Sequence, residues 1–98
     1  MPFRDNSLWN ERTELMAFLI FKRLEIDNFP RGKQAEYCRE MMKKTGLETG
    51  NISAKVSNYK SVAGYNKSSN ASKETKHNYN EYNQLSIDDL LIMIDKLN

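Results

Sequence analysis

The chain has 98 residues, a formal net charge of +2, and 39% hydrophobic and 29% charged residues. This length and composition predict one globular domain, 1–98, and no apolar run approaches the ~20 residues that a membrane-spanning helix needs. The single cysteine excludes an intramolecular disulfide, and the first residues lack the apolar segment of a secretory signal. We therefore expect a cytoplasmic protein without membrane contact.

The first predicted helix is LWNERTELMAFLIFKRLEI, in which apolar residues recur at helical spacing. Ser7 is its predicted N-cap, and Trp9 fits as a core anchor. The seven apolar residues 15–21 would also suit a buried strand, but Met, Ala and Leu favour a helix. We predict a central core helix with an apolar stripe beginning at Leu8, followed by a turn at DNFPRG, residues 27–32.

The second predicted helix is KQAEYCREMMKKTG, with lysines before the αL-tolerant Gly46 at its end. Its expected apolar face consists of Ala35, Cys38, Met41 and Met42. Cys38 is therefore a core residue in this interpretation. A catalytic cysteine needs a histidine partner, and the only histidine, His77, lies in a polar segment, so we expect no enzyme activity.

The third predicted helix spans 50–63, with Thr49 as N-cap. Rotation by about 100° per residue places Ile52, Val56, Tyr59 and Ala63 on one stripe. The opposite side carries small residues, with lysines on the flanks, although Ser and Asn are mediocre helix formers. The members of that side are Ser53, Ala54, Ser57, Asn58 and Ser61, and the flanking lysines are Lys55 and Lys60.

This pattern is typical of a recognition helix in the DNA major groove, because small side chains allow close approach and Asn pairs with adenine. Residues 49–77 hold five lysines and one acidic residue, a local charge that favours a polyanion. The predicted base contacts are Ser53, Ser57 and Asn58, and the predicted phosphate contacts are Lys55, Lys60, Lys67, Lys73 and Lys76. A solvated face or a protein-binding surface explains the composition equally well.

Together the three helices suit an all-α helix-turn-helix or Myb-like core, residues 7–64, because a short linker joins the second and third. Residues 65–84 are rich in asparagine, which by composition suggests a linker. Ser72, however, is a suitable N-cap, and Tyr79 and Tyr82 have helical spacing that would let them dock on the core.

The last predicted helix spans 86–97 and begins with the S-x-x-D pattern of Ser86 and Asp89. It either completes the core or forms a homodimer, because Ile92 and Met93 widen its apolar surface. The predicted apolar stripe consists of Ile87, Leu90, Leu91, Ile94 and Leu97.

Two stretches, NISAKVSNYKSV and SSNASKETKHNYNEY, resemble the N-terminal DNA-recognition module of bacterial HNH-type restriction endonucleases, including modification-dependent, type IV-like enzymes. The resemblance covers roughly Leu8 to Tyr82 and is most specific at Asn58-Tyr59 and Ser69 to Lys73. It implies that 69–82 form a capped helix whose Tyr79 and Tyr82 pack on the bundle. It also implies a role in reading double-stranded DNA, modified or not, in restriction or phage defence. Glu74 and Asn78 depart from the pattern, which has apolar residues there.

One histidine and one cysteine supply neither an HNH nuclease centre nor a zinc site, so we expect no metal, no cofactor and no small-molecule substrate. The sequence therefore predicts a non-catalytic, DNA-binding protein of helical fold. The alternative is a phage or mobile-element module that inhibits or adapts a host protein through the last helix.

Overall fold

The computed structural model describes residues 8–66 and 71–97, which form five α-helices and no strand. This confirms the all-α prediction. The helices are α1 (Glu11–Ile26), α2 (Lys33–Thr45), α3 (Thr49–Val62), α4 (Lys73–Tyr82) and α5 (Ile87–Lys96). None of them, within these described ranges, has both the length and the apolar character needed to cross a membrane.

Helix α1 is the centre of the bundle, as predicted. Every residue from 13 to 21 is buried, because α1 packs against all four other helices. Its predicted N-cap, Ser7, lies outside the described residues. The helix is capped instead by Asn10, whose side chain accepts a hydrogen bond from the Thr13 amide at 3.0 Å. Leu8 therefore precedes the helix and is exposed, contrary to the predicted stripe.

Helix α5 packs only against α1 among the described helices, which leaves a groove on each of its sides. Ser86 caps α5 by accepting from the Asp89 amide at 3.1 Å, as predicted. Leu90 and Ile94 are buried, but Leu91 and the last residue of the predicted stripe, Leu97, are exposed. The buried stripe of α5 is narrower than predicted because, among the described helices, only α1 covers it.

Helices α2 and α3 are joined by three residues, 46–48, and Gly46 adopts the left-handed conformation (φ 80°) that glycine tolerates. Cys38 and Met41 are buried as predicted. The other two members of the predicted α2 face, Ala35 and Met42, are exposed. The N-cap of α3 is Glu48, not Thr49.

The predicted turn after α1 carries an aromatic side chain into the core. Asn28 and Phe29 both have positive φ, 61° and 54°, and the Phe29 amide closes the turn on the Leu24 carbonyl at 2.7 Å. The Phe29 ring meets Tyr65 edge-on at 4.7 Å between centroids. This contact joins the turn to the segment that follows α3.

The asparagine-rich segment contains a helix, as predicted. Ser72 caps α4 by accepting from the Thr75 amide at 3.1 Å. Tyr79 lies across Phe18 and Phe21 at 6.4 and 6.3 Å, and Tyr82 also packs against the core. Residues 67–70 lie outside the described ranges.

Candidate nucleic-acid interface

The side of α3 that faces away from the core is a strip of small, uncharged side chains, which we call the outward stripe. Gly50, Asn51 and Ala54 are exposed, and the others are half-buried. Alone among the five described helices, α3 contains no acidic residue. The outward stripe consists of Gly50, Asn51, Ala54, Ser57, Asn58 and Ser61.

Helix α2 supports one flank of the outward stripe through Gln34. Its side-chain amide donates to Ser53 Oγ at 2.8 Å, and its carbonyl oxygen accepts from the Lys60 ammonium. The Lys60 ammonium also lies 5.3 Å from the centre of the Phe29 ring. Ser53 and Lys60 are therefore both half-buried and held in place by neighbours.

On the other flank, Lys55 points inward. Its ammonium lies 2.9 Å from the Glu14 carboxylate and 4.9 Å from the centre of the Trp9 ring, and its side chain is only 15% exposed. The predicted core anchor, Trp9, is half-buried and packs against the core. To reach a phosphate, Lys55 would have to leave this conformation and break its ion pair with Glu14.

Beneath α3 lies a buried polar cluster, the Glu14 cluster, made of Glu14, Lys55, Tyr59, Thr75 and Asn78. The Tyr59 hydroxyl donates to Glu14 Oε2 at 2.7 Å, and Thr75 Oγ1 donates to Glu14 Oε1 at 3.1 Å. The Asn78 amide donates to the Tyr59 hydroxyl at 3.3 Å. The cluster thus joins α1, α3 and α4.

The cluster gives the buried Glu14 carboxylate two hydrogen bonds and a cation as partners. Glu14 is 1% exposed, and a buried carboxylate is tolerated only when it is paired and hydrogen-bonded. Burial, followed by the charge and hydrogen bond of Glu14, raises the pKa of Tyr59 far above its ordinary 10.0. Tyr59 therefore remains a neutral hydrogen-bond donor at physiological pH, and the cluster fixes α3 against its neighbours.

The predicted phosphate contacts fall into different environments. Lys73 and Lys76 are exposed on α4, which packs against α3. Lys60 is half-buried, Lys55 is paired with Glu14, and Lys67 lies outside the described residues. The predicted base contacts Ser53, Ser57 and Asn58 are all half-buried on α3.

Two polar residues near this surface were not predicted. Asn51 is exposed, one helical turn before Ala54, so its position could have been read from the 3.6-residue periodicity. Gln34 approaches α3 from another helix, so no local pattern would have indicated it.

Within residues 8–66 and 71–97, no three His, Cys, Asp or Glu side chains come together in a way that could hold a metal ion. Cys38 is 1% exposed, and burial raises the pKa of its thiol, although the charge of Lys60 opposes this. A thiol in this environment is a poor nucleophile, because the reactive form is the thiolate.

Comparison of the chain with family models, curated proteins and solved structures finds no match.

Proposed function

We propose that this chain is a non-catalytic protein that binds double-stranded DNA with the outward stripe of α3. The observation that carries the proposal is that the side chains of this stripe are small, exposed or half-buried on the outer side of α3, and free of carboxylates. A helix with these properties can approach the phosphate backbone without like-charge repulsion and place its backbone close to base edges. The resemblance of Asn58-Tyr59 and of 69–73 to a restriction-enzyme DNA module supports the same reading.

The connection between α2 and α3 suits a helix-turn-helix, since three residues with a left-handed glycine join two packed helices. In this arrangement the second helix enters the major groove with its N-terminal residues near the bases. Asn51 and Asn58 are the side chains best suited to adenine, because an amide pairs with N6 and N7 together. Ser53 and Ser57 contribute further contacts to base edges through their shorter side chains.

Lysines on neighbouring surfaces supply the contacts to phosphate in this proposal. Lys73 and Lys76 are exposed and unpaired within the described residues, and Lys60 lies beside the stripe. Lys55 is not among the lysines proposed to contact phosphate, because binding a phosphate would leave the buried Glu14 carboxylate without its cation. Its role here is to hold α3 on α1.

The test is a binding assay with duplex DNA at low salt, using Ala54→Glu. Ala54 is exposed and Glu is a good helix former, so the fold should be kept while a carboxylate enters the stripe. We expect affinity to fall by about tenfold or more through repulsion of the phosphates. The matched control is Lys96→Gln, which changes the net charge equally on α5, a helix that does not pack against α3.

A loss of affinity in Ala54→Glu alone supports the proposal. Equal effects of the two variants would mean that binding follows net charge and not the stripe, and no binding by the unaltered protein would reject DNA as the partner.

The resemblance further suggests restriction, phage defence or a mobile element as the setting. Defence modules of this kind distinguish foreign or modified DNA, so duplexes with unmodified, methylated and hydroxymethylated cytosine should be compared. A preference that disappears in Asn58→Ala or Asn51→Ala would place the reading in α3. A constant affinity across all three duplexes would limit the proposal to general DNA binding.

A second candidate function rests on the outer face of α5, where Leu91 and Ile92 are 37% and 55% exposed. Exposed aliphatic side chains next to each other favour contact with a protein, either a second copy of this chain or a host protein. Sedimentation velocity of the unaltered protein and of Ile92→Glu tests the homodimer. A monomer in both cases would rule out the homodimer.

A further inference from the structure

The groove between α2 and α5 has an apolar floor and a volume of about 140 Å³. Helix α3 contributes no residue to it, so this groove is separate from the outward stripe. A cavity of about this volume holds a single benzene-sized ring. The floor is formed by Met16, Leu19, Ile20, Met41 and Ile94.

Three cationic side chains line the same groove, and none of them has an ion-pair partner within the described residues. Arg12 and Lys44 come from α1 and α2, and the Arg23 guanidinium lies 5.7 Å from the centre of the Tyr37 ring. The ion pairs of the described chain involve other lysines. The groove therefore presents unpaired positive charge above an apolar surface.

The Arg12 side chain has an unsatisfied hydrogen-bond donor at this groove. Its Nε atom is buried and has no hydrogen-bond partner. A buried, unsatisfied donor of this kind costs free energy, and the half-buried Arg12 side chain would recover it by turning its guanidinium towards an acceptor that enters the groove. A carboxylate suits the position, because the planar guanidinium can donate two parallel hydrogen bonds to its two oxygens.

We propose that the α2–α5 groove binds a small carboxylate with a body of about one ring, the ring on the apolar floor and the carboxylate on Arg12. Lys44 adds a second positive charge. Glu40 and Asp95 also line the groove and limit the number of negative charges that it accepts, which favours a monocarboxylate over a dicarboxylate.

The test uses benzoate as the probe and benzamide, its neutral isostere, as the reference ligand. Both are titrated into isotopically labelled protein while amide chemical shifts are followed. We expect saturable benzoate binding with shifts at α1, α2 and α5 around the groove, and at least tenfold weaker binding of benzamide, about the worth of a charge-assisted hydrogen bond.

Variants separate the charge of the groove from that of the surface. Lys44→Gln should weaken benzoate binding by about two- to fivefold, the range of an exposed ion pair. Its neighbour Lys43 is also exposed but does not line the groove, so Lys43→Gln should leave binding unchanged. Arg12→Lys should weaken binding by about tenfold, since lysine keeps the charge but not the paired donors.

If Arg12→Lys does not fold, the comparison of Lys44→Gln with Lys43→Gln still decides the matter. Benzamide binding as tightly as benzoate, equal effects of the two lysine variants, or no saturation with benzoate would each overturn the proposal. Failure of DNA binding would not bear on it, because the two surfaces share no residue.

Discussion

Replacing Tyr59 by phenylalanine should destabilise the fold far more than the loss of one hydroxyl at the surface would. The Tyr59 side chain is fully buried, and its hydroxyl donates to the Glu14 carboxylate at 2.7 Å while accepting from the Asn78 amide at 3.3 Å. The ring contacts, including Phe18 at 4.9 Å, are retained in Tyr59→Phe. The variant therefore isolates the polar contribution.

The magnitude follows from the two hydrogen bonds. A hydrogen bond to a charged group contributes about 1.5–3 kcal/mol, and the Asn78 donor is left buried without an acceptor. We expect the free energy of unfolding to fall by about 2–3 kcal/mol. For a domain of this size that lowers Tm by about 8–24 °C.

Tyr65→Phe is the matched control. The Tyr65 hydroxyl also donates to a carboxylate, that of Glu25 at 2.9 Å, but the side chain is 53% exposed. Water replaces a hydrogen bond at such a site, so the change should stay within about 0.5 kcal/mol. Urea and thermal unfolding, followed by circular dichroism, measure both variants. If Tyr59→Phe costs no more than Tyr65→Phe, the hydrogen bonds of the Tyr59 hydroxyl in the Glu14 cluster do not stabilise the fold.

The remaining predictions concern pH, packing, reactivity and salt. Because the pKa of Tyr59 is raised above its ordinary 10.0 in the folded protein, the unfolded chain loses this proton at a lower pH. The free energy of unfolding should therefore fall above about pH 10, by up to about 1.4 kcal/mol per pH unit. The fall should be less steep in Tyr59→Phe. Tyr79→Ala should cost about 2 kcal/mol and lower Tm by about 8–16 °C, since its half-buried ring packs on two phenylalanines. A thiol reagent should modify Cys38 slowly in the folded protein and rapidly in urea. Lys73→Ala and Lys76→Ala should each flatten the slope of log K against log salt for DNA by about 0.9, and Lys43→Ala provides the comparison.

The helices themselves were predictable because local signals agreed with the tertiary structure. The apolar periodicity of α1 and the cap residues Ser72 and Ser86 act within one or two turns of chain. Helix α3 also buries Ile52, Val56 and Tyr59 as its rotation indicated. The errors at Thr49 and at the start of α1 are shifts of one to three residues.

The environment of the flanking residues was not predictable, because it depends on which helix packs beside them. Rotation places Lys55 at the side of α3, but only the tertiary structure brings Glu14 to its ammonium. Asn78 likewise departs from the apolar pattern of the family that the sequence resembles. Asn78 is nevertheless buried, and its amide is tolerated there because it donates a hydrogen bond to the Tyr59 hydroxyl. The orphaned Arg12 Nε also follows from packing between distant segments.

We propose that α3 meets DNA through its outward stripe, and amide chemical-shift mapping during titration with a duplex at low salt is the sharpest test of this contact. We predict the largest shifts at Gly50, Asn51 and Ala54, with further shifts at the exposed lysines of α4 and none along α5. Shifts concentrated on α5 or in the α2–α5 groove, with α3 unaffected at saturation, would rule out DNA binding through the outward stripe.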